Sequence, residues 1–175
     1  MSERARILLT GFMASGKTAV AEALARQLDC EMLDLDQFIT ARDGRSIQTI
    51  IDEDGEARFR EMEESVLREA LESSTARIIA LGGGTWISPQ NRALIAAHHG
   101  FTVWLDAPFE LCWQRIIRDH DDTRPLARDK KQAGCLYEER RALYKLAALR
   151  VQINEEEDVD VVAIKIVNAL RQRTE

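Results

Sequence analysis

Short apolar runs of strand length alternate along this chain with longer stretches in which apolar residues recur every three or four positions. Residues 5–10, 32–35, 78–81, 101–105 and 150–153 read as five strands, and the segments between them read as helices. Strands that alternate with helices predict an α/β fold, a three-layer sandwich whose five-stranded parallel sheet is covered on both faces. Local signals mark several helix ends. Ser88-Pro89 reads as an N-cap followed by proline at the first helical position, and Asp158 reads as the cap of a last helix with Val161, Val162, Ile166, Val167 and Leu170 on its apolar side. Gly44 should end a helix begun near Asp36, and His98 and His99 should close another before Gly100. Two stretches look less regular, 43–55 and the polar, charge-rich 119–134, and the second reads as a mobile lid. No repeat or break in composition divides the chain, so residues 1–175 are read as a single domain.

Composition narrows the partners. A net charge of -6 gives no support to nucleic-acid binding, so an anionic substrate would need local arginine clusters. No apolar stretch is long enough to cross a bilayer, and MSERAR runs into a strand rather than a signal peptide, which makes a cytoplasmic location the expectation. Cys30, Cys112 and Cys135 lack metal or redox spacing and are expected to be core or surface residues.

The strongest chemical signal is GFMASGKT at 11–18, a full match to G-x-x-x-x-G-K-S/T between a strand-like run and a helix-like one. Gly11 and Gly16 let the backbone turn its N–H groups onto a phosphate, helped by the positive end of the helix that starts near Lys17. Lys17 should reach the β- and γ-phosphates and Thr18 should ligand Mg2+. Asp34 and Asp36 follow the second strand; if that strand lies beside the first, both reach the phosphate loop, one at the metal and the other at a substrate hydroxyl. The competing reading is that one of them caps the next helix.

Three glycines, 82–84, follow the third strand, where ligands gather in open α/β sheets, and either a ligand's close approach or a tight corner explains them. Trp86 behind them is placed along the pocket, while Trp104 and Trp113 are read as packing residues. Glu56, Arg60 and Glu64 fall at four-residue spacing, which an exposed ion-pair ladder would also produce. Arg124 in the lid-like segment and Arg140 on the helix after it could place rigid charge over a transferred phosphoryl group; Arg128 and Arg141 are close by, and a solvated surface position is the competing reading for each.

Taken together, GFMASGKT, MLDLDQFI, GRSIQTIIDEDGEARFREME, IIALGGGT, TRPL and RRALY resemble the shikimate kinase family over most of the chain. The resemblance implies a P-loop, NMP-kinase-like fold and transfer of a phosphoryl group from MgATP to the 3-hydroxyl of shikimate. It implies Asp36, Arg60, Gly82, Gly83, Gly84 and Arg140 as substrate-binding, with Asp36 as candidate base, the two arginines on the shikimate carboxylate, Glu63 steadying an arginine, and a substrate-binding segment at about 36–64. It implies Gly11, Ala14, Ser15, Gly16, Lys17, Thr18, Ala19, Arg118 and Arg124 on the nucleotide. It further implies Lys17 and Arg124 in catalysis, and Thr18 and Asp34 on Mg2+, Asp34 through water. Ala14 stands where the family often has glycine, and NEEED at 154–158 departs from the family's adenine loop. A monomer whose partners are shikimate and ATP, with no nucleic acid and no membrane, is expected. A kinase for another small hydroxy acid and a catalytically silent nucleotide-binding regulator are the alternatives; a GTPase is disfavoured because no N-K-x-D motif follows the fourth strand.

Overall fold

The computed structural model describes residues 5–118 and 129–172. Strands β1 (Ile7–Thr10), β2 (Met32–Asp34), β3 (Ile78–Ala80), β4 (Phe101–Asp106) and β5 (Leu149–Gln152) pair in the order β2-β3-β1-β4-β5, every pair parallel. β1, β3 and β4 are buried along their whole length. Successive strand residues point to opposite faces, so this burial requires cover on both sides, as the near-continuous apolar runs predict. The helices are α1 (Lys17–Leu28), α2 (Leu35–Asp43), α3 (Ile47–Asp54), α4 (Glu56–Ser73), α5 (Pro89–Ala97), α6 (Phe109–Arg118), α7 (Lys130–Tyr144) and α8 (Val159–Gln172), with a 3-10 turn at Thr85–Ile87. α1 packs over β1, β2 and β3 and against α8. Among the described residues, no helix is long and apolar enough to cross a membrane.

The local signals act as read. The Ser88 hydroxyl accepts from Asn91 N at 3.3 Å with Pro89 at the first turn of α5. The Asp158 carboxylate accepts from Asp160 N at 2.8 Å just ahead of α8, and Gly44 closes α2 with φ 83°. His98 and His99 follow the end of α5.

Three expectations need correction. β2 does not lie beside β1, because β3 is inserted between them. Residues 43–55 are not irregular: they hold α3, capped by Ser46 and anchored by the fully buried Ile50. Arg45 ties the α2–α3 corner by reaching Asp43 at 2.6 Å, Asp54 at 2.7 Å and Glu53 at 2.8 Å. Of the segment 119–134 expected to be a lid, Asp129 caps α7 and residues 130–134 form its first turns, so this part is regular helix. Residues 119–128, Arg124 and Arg128 included, lie outside the described residues.

Candidate active site

The phosphate loop joins the end of β1, in the middle of the sheet, to α1. Its curl needs positive φ at Gly11 (149°), Ala14 (58°) and Gly16 (95°). A β-carbon on Gly11 would meet the Leu105 carbonyl oxygen at 2.7 Å, so only glycine fits there. Ala14 holds a left-handed conformation that costs an L-residue about 1 kcal/mol relative to glycine. The Lys17 ammonium donates to the carbonyls of Gly11 at 3.0 Å and Phe12 at 2.9 Å, folding it over the loop. Ser15 is buried inside the turn, while Ala19 is exposed on the first turn of α1.

Asp34 caps α2, as one reading had it, and also reaches the phosphate loop. One carboxylate oxygen caps α2 by accepting from Gln37 N at 3.1 Å; the other accepts from the Thr18 hydroxyl at 2.6 Å. The oxygen pair spans from β2 to α1 without β2 being next to β1, because α1 runs over β3 to reach it.

Across from the loop, Asp36 enters from α2, Arg60 and Glu63 from α4, and Arg140 from α7. The ladder foreseen from four-residue spacing is only half present. Arg60 pairs with Glu56 at 3.1 Å and with the buried Glu63 at 2.9 Å, and Glu64 instead pairs with Arg68. Burial works against the Arg60 charge, and the Glu63 and Glu56 carboxylates more than restore it, so its pKa is raised. The Asp36 carboxyl is pushed up to about 6, first by burial and then by the charges of Asp34 and Glu63, against the pull of Lys17 and Arg60.

The three glycines make this convergence possible. A β-carbon on Gly82 would lie 2.5 Å from an Asp36 oxygen and 2.9 Å from a Glu63 oxygen; one on Gly84 would lie 2.6 Å from the Arg60 guanidinium. One on Gly83 would come within 3.5 Å of Arg140. Their missing side chains admit protein groups, whereas the sequence suggested the approach of a ligand or a tight corner. Gly83 and Gly84 line a cavity of about 610 Å3 that also touches Ala14, Thr18, Asp34, Asp36, Arg60 and Arg140; Gly82 is buried beside it. Trp86, expected along the pocket, is instead packed away, its indole donating to Leu143 O at 3.0 Å. Trp104 is buried and Trp113 stacks on Phe109, both as packing residues.

A family model described as shikimate kinase matches residues 13–171. The chain belongs to the shikimate kinase family. Family membership carries the activity, ATP-dependent phosphoryl transfer to a hydroxyl of shikimate. A shikimate kinase from a Nostoc species is 37% identical over 167 residues, covering 94% of this chain and 90% of the relative. Among solved structures, the shikimate kinase of Acinetobacter baumannii in complex with shikimate superposes with a TM-score of 0.90 at 32% identity, covering 98% of this chain and 95% of that one. That of Aquifex aeolicus superposes with a TM-score of 0.83 at 34% identity, covering 97% and 98%. The fold is therefore that of a P-loop kinase.

Three residues beside the cavity and the phosphate loop were given no role from the sequence, although Thr85 and Tyr144 end two of the quoted motifs. Arg115 on α6 donates to the Ala14 carbonyl at 3.2 Å and so touches the phosphate loop, while Arg118, the arginine implied by the resemblance, ends the helix in an exposed position. The Tyr144 hydroxyl donates to Gly83 O at 2.6 Å, and the Thr85 hydroxyl to Glu63 at 2.6 Å. Arg115 lies three residues before Arg118, one turn away on the same helix, and only the loop's position in space distinguishes them.

Proposed function

We propose that the cavity accepts shikimate with its carboxylate on Arg60 and Arg140 and its 3-hydroxyl toward Asp36, facing the γ-phosphate of ATP held by residues 11–18. The observation that carries this is the continuity of one cavity from Ala14 and Thr18 to Arg60 and Arg140, past Asp36. The donor loop and two guanidinium groups suited to a carboxylate therefore share a space of substrate size. The acceptor hydroxyl oxygen forms a bond to the γ-phosphorus as the bond to the bridging oxygen of ADP breaks. The hydroxyl proton passes to Asp36, which a pKa near 6 leaves ionised at neutral pH yet more basic than an ordinary carboxylate. Lys17 moves from its carbonyl partners to the phosphate oxygens, and Arg124 belongs to this reading as a further cation over them.

Thr18 and Asp34 fit Mg2+ through the chemistry of their donors: a hydroxyl and a carboxylate oxygen side by side at the start of α1, both hard oxygen ligands. Among the described residues no group of three His, Cys, Asp or Glu forms a dedicated metal cage, a sparse set that suits an ion held mostly by water and phosphate. When bound, Mg2+ neutralises charge building on the phosphate oxygens. One chain supplies every group named, which favours a monomer, and a cytoplasmic enzyme remains part of this reading.

The test is ADP release with and without shikimate, with the phosphorylated carbon located by NMR. Release that depends on shikimate, with phosphate on the 3-hydroxyl, is expected. Transfer to quinate or gluconate but not shikimate would establish the other hydroxy-acid kinase instead, and ATP binding without transfer to any of them would establish the silent regulator.

A further inference from the structure

We propose that Thr85 is a positioning residue for the acceptor carboxylate, acting through Glu63 on Arg60; this rests on the reading that Arg60 holds that carboxylate. Thr85 is fully buried, and Glu63 is 1% exposed. The two oxygens of Glu63 have separate tasks. Oε2 accepts from Arg60 Nη1 at 2.9 Å, and Oε1 accepts from Thr85 Oγ1 at 2.6 Å. An ionised carboxylate only accepts, so the hydroxyl proton points from Thr85 to Glu63.

Thr85 is itself held at both ends of its peptide unit. Its N–H donates to Gly82 O at 3.2 Å, and its carbonyl accepts from the buried Asn91 side chain at 3.0 Å. This rigidity passes through Glu63 to a guanidinium seated over Gly84, where a β-carbon would clash with it at 2.6 Å. Without the hydroxyl, Oε1 is a buried charged acceptor lacking a donor, a costly state in a low-dielectric site. The carboxylate relieves it by rotating to take a second N–H from Arg60, which pulls the guanidinium away from the cavity. Acceptor binding suffers, while the nucleotide loop on the far side of the cavity keeps its contacts.

The experiment compares the full-length Thr85→Val and Thr85→Ser variants with the parent. Thr85→Val keeps the shape and removes the hydroxyl; Thr85→Ser keeps the hydroxyl. The KM for shikimate should rise about tenfold in Thr85→Val, with the KM for ATP within about twofold of the parent, and Thr85→Ser should recover most of the loss. An equal rise in both KM values, no change in Thr85→Val, or a Thr85→Ser variant as impaired as Thr85→Val would each overturn the proposal. A second readout needs no substrate: the Nη proton signals of Arg60, identified by their absence in Arg60→Lys, should coincide in the parent and in Thr85→Ser and be shifted in Thr85→Val. Identical signals in all three would overturn the positioning role even where turnover is altered. A parent that leaves shikimate untouched while its Arg60 signals respond as expected would sink the acceptor reading and leave the Thr85–Glu63–Arg60 coupling standing.

Discussion

At Asp36 the interests of stability and chemistry diverge. Its carboxyl titrates near 6 in the folded chain against an ordinary 3.8, so between those values the folded state holds a proton that the unfolded state has released. Its contribution to stability is therefore fully present below about pH 4 and lost as pH rises through about 6. Asp36→Asn, which cannot ionise, should be more stable than the parent by about 3 kcal/mol at pH 7 to 8, the difference vanishing below pH 4 in denaturant unfolding without nucleotide. The same variant should lose about 100-fold or more in kcat if Asp36 takes the hydroxyl proton. A variant with lower stability at neutral pH would contradict the desolvated carboxyl, and one with full turnover would contradict the base. Gly84 separates fold from function in another way. The atoms a β-carbon would strike belong to the tip of the Arg60 side chain, which can swing aside, so Gly84→Ala should fold with little change in Tm. Displacement of the guanidinium should raise the KM for shikimate at least tenfold without a matching change for ATP. A large drop in Tm would show that the glycine is needed for the backbone and not for Arg60.

Among the elements, α7 decides how the acceptor side is assembled. It supplies Arg140 to the cavity and grips the segment after β3 at two points: the Tyr144 hydroxyl on Gly83 O at 2.6 Å and the Leu143 carbonyl under the Trp86 indole at 3.0 Å. Tyr144 is 1% exposed, and burial pushes its phenol pKa up, so it acts as a hydrogen-bond donor throughout the working range. Tyr144→Phe should cost about 1–2 kcal/mol in chemical denaturation and raise the KM for shikimate, since it leaves the Gly83 carbonyl without its donor next to Arg140. Unchanged unfolding would mean that water takes over this contact. The elements themselves were readable where their signals are local. The phosphate loop, the Ser88-Pro89 start of α5 and the Gly44 stop of α2 each depend on a few adjacent residues. α3 escaped notice because its eight residues bury only Ile50 and are secured by Arg45 pairs that form after folding. The grip of α7 on Gly83 joins residues 61 apart in the chain, a distance at which spacing carries no information.

At the scale of the molecule, the order β2-β3-β1-β4-β5 puts the donor loop at the middle strand and lets α2, α4 and α7 close on it from separate stretches of chain. The parallel sheet was legible from its alternation of apolar runs and helices, but not the neighbour of each strand: Asp34 reaches Thr18 over an intervening strand, so the condition that β2 lie beside β1 is neither met nor needed. Because the acceptor groups come from three elements, a ligand that bridges them should stabilise the whole fold. At about 100 times its dissociation constant a ligand adds about 2.7 kcal/mol, which for a chain of this length corresponds to a rise in Tm of about 5–10 °C. Shikimate should produce that rise in the parent, and little of it in Arg60→Ala or Arg140→Ala at the same concentration. Shikimate methyl ester keeps every hydroxyl but has no charge for the two guanidinium groups, so it too should give a small shift. An ester that stabilises as much as the acid would place the carboxylate away from Arg60 and Arg140. The hydroxyl proposed to face Asp36 would then have to be reassigned as well, because that orientation of the ring rests on the proposal that the arginines hold its carboxylate end.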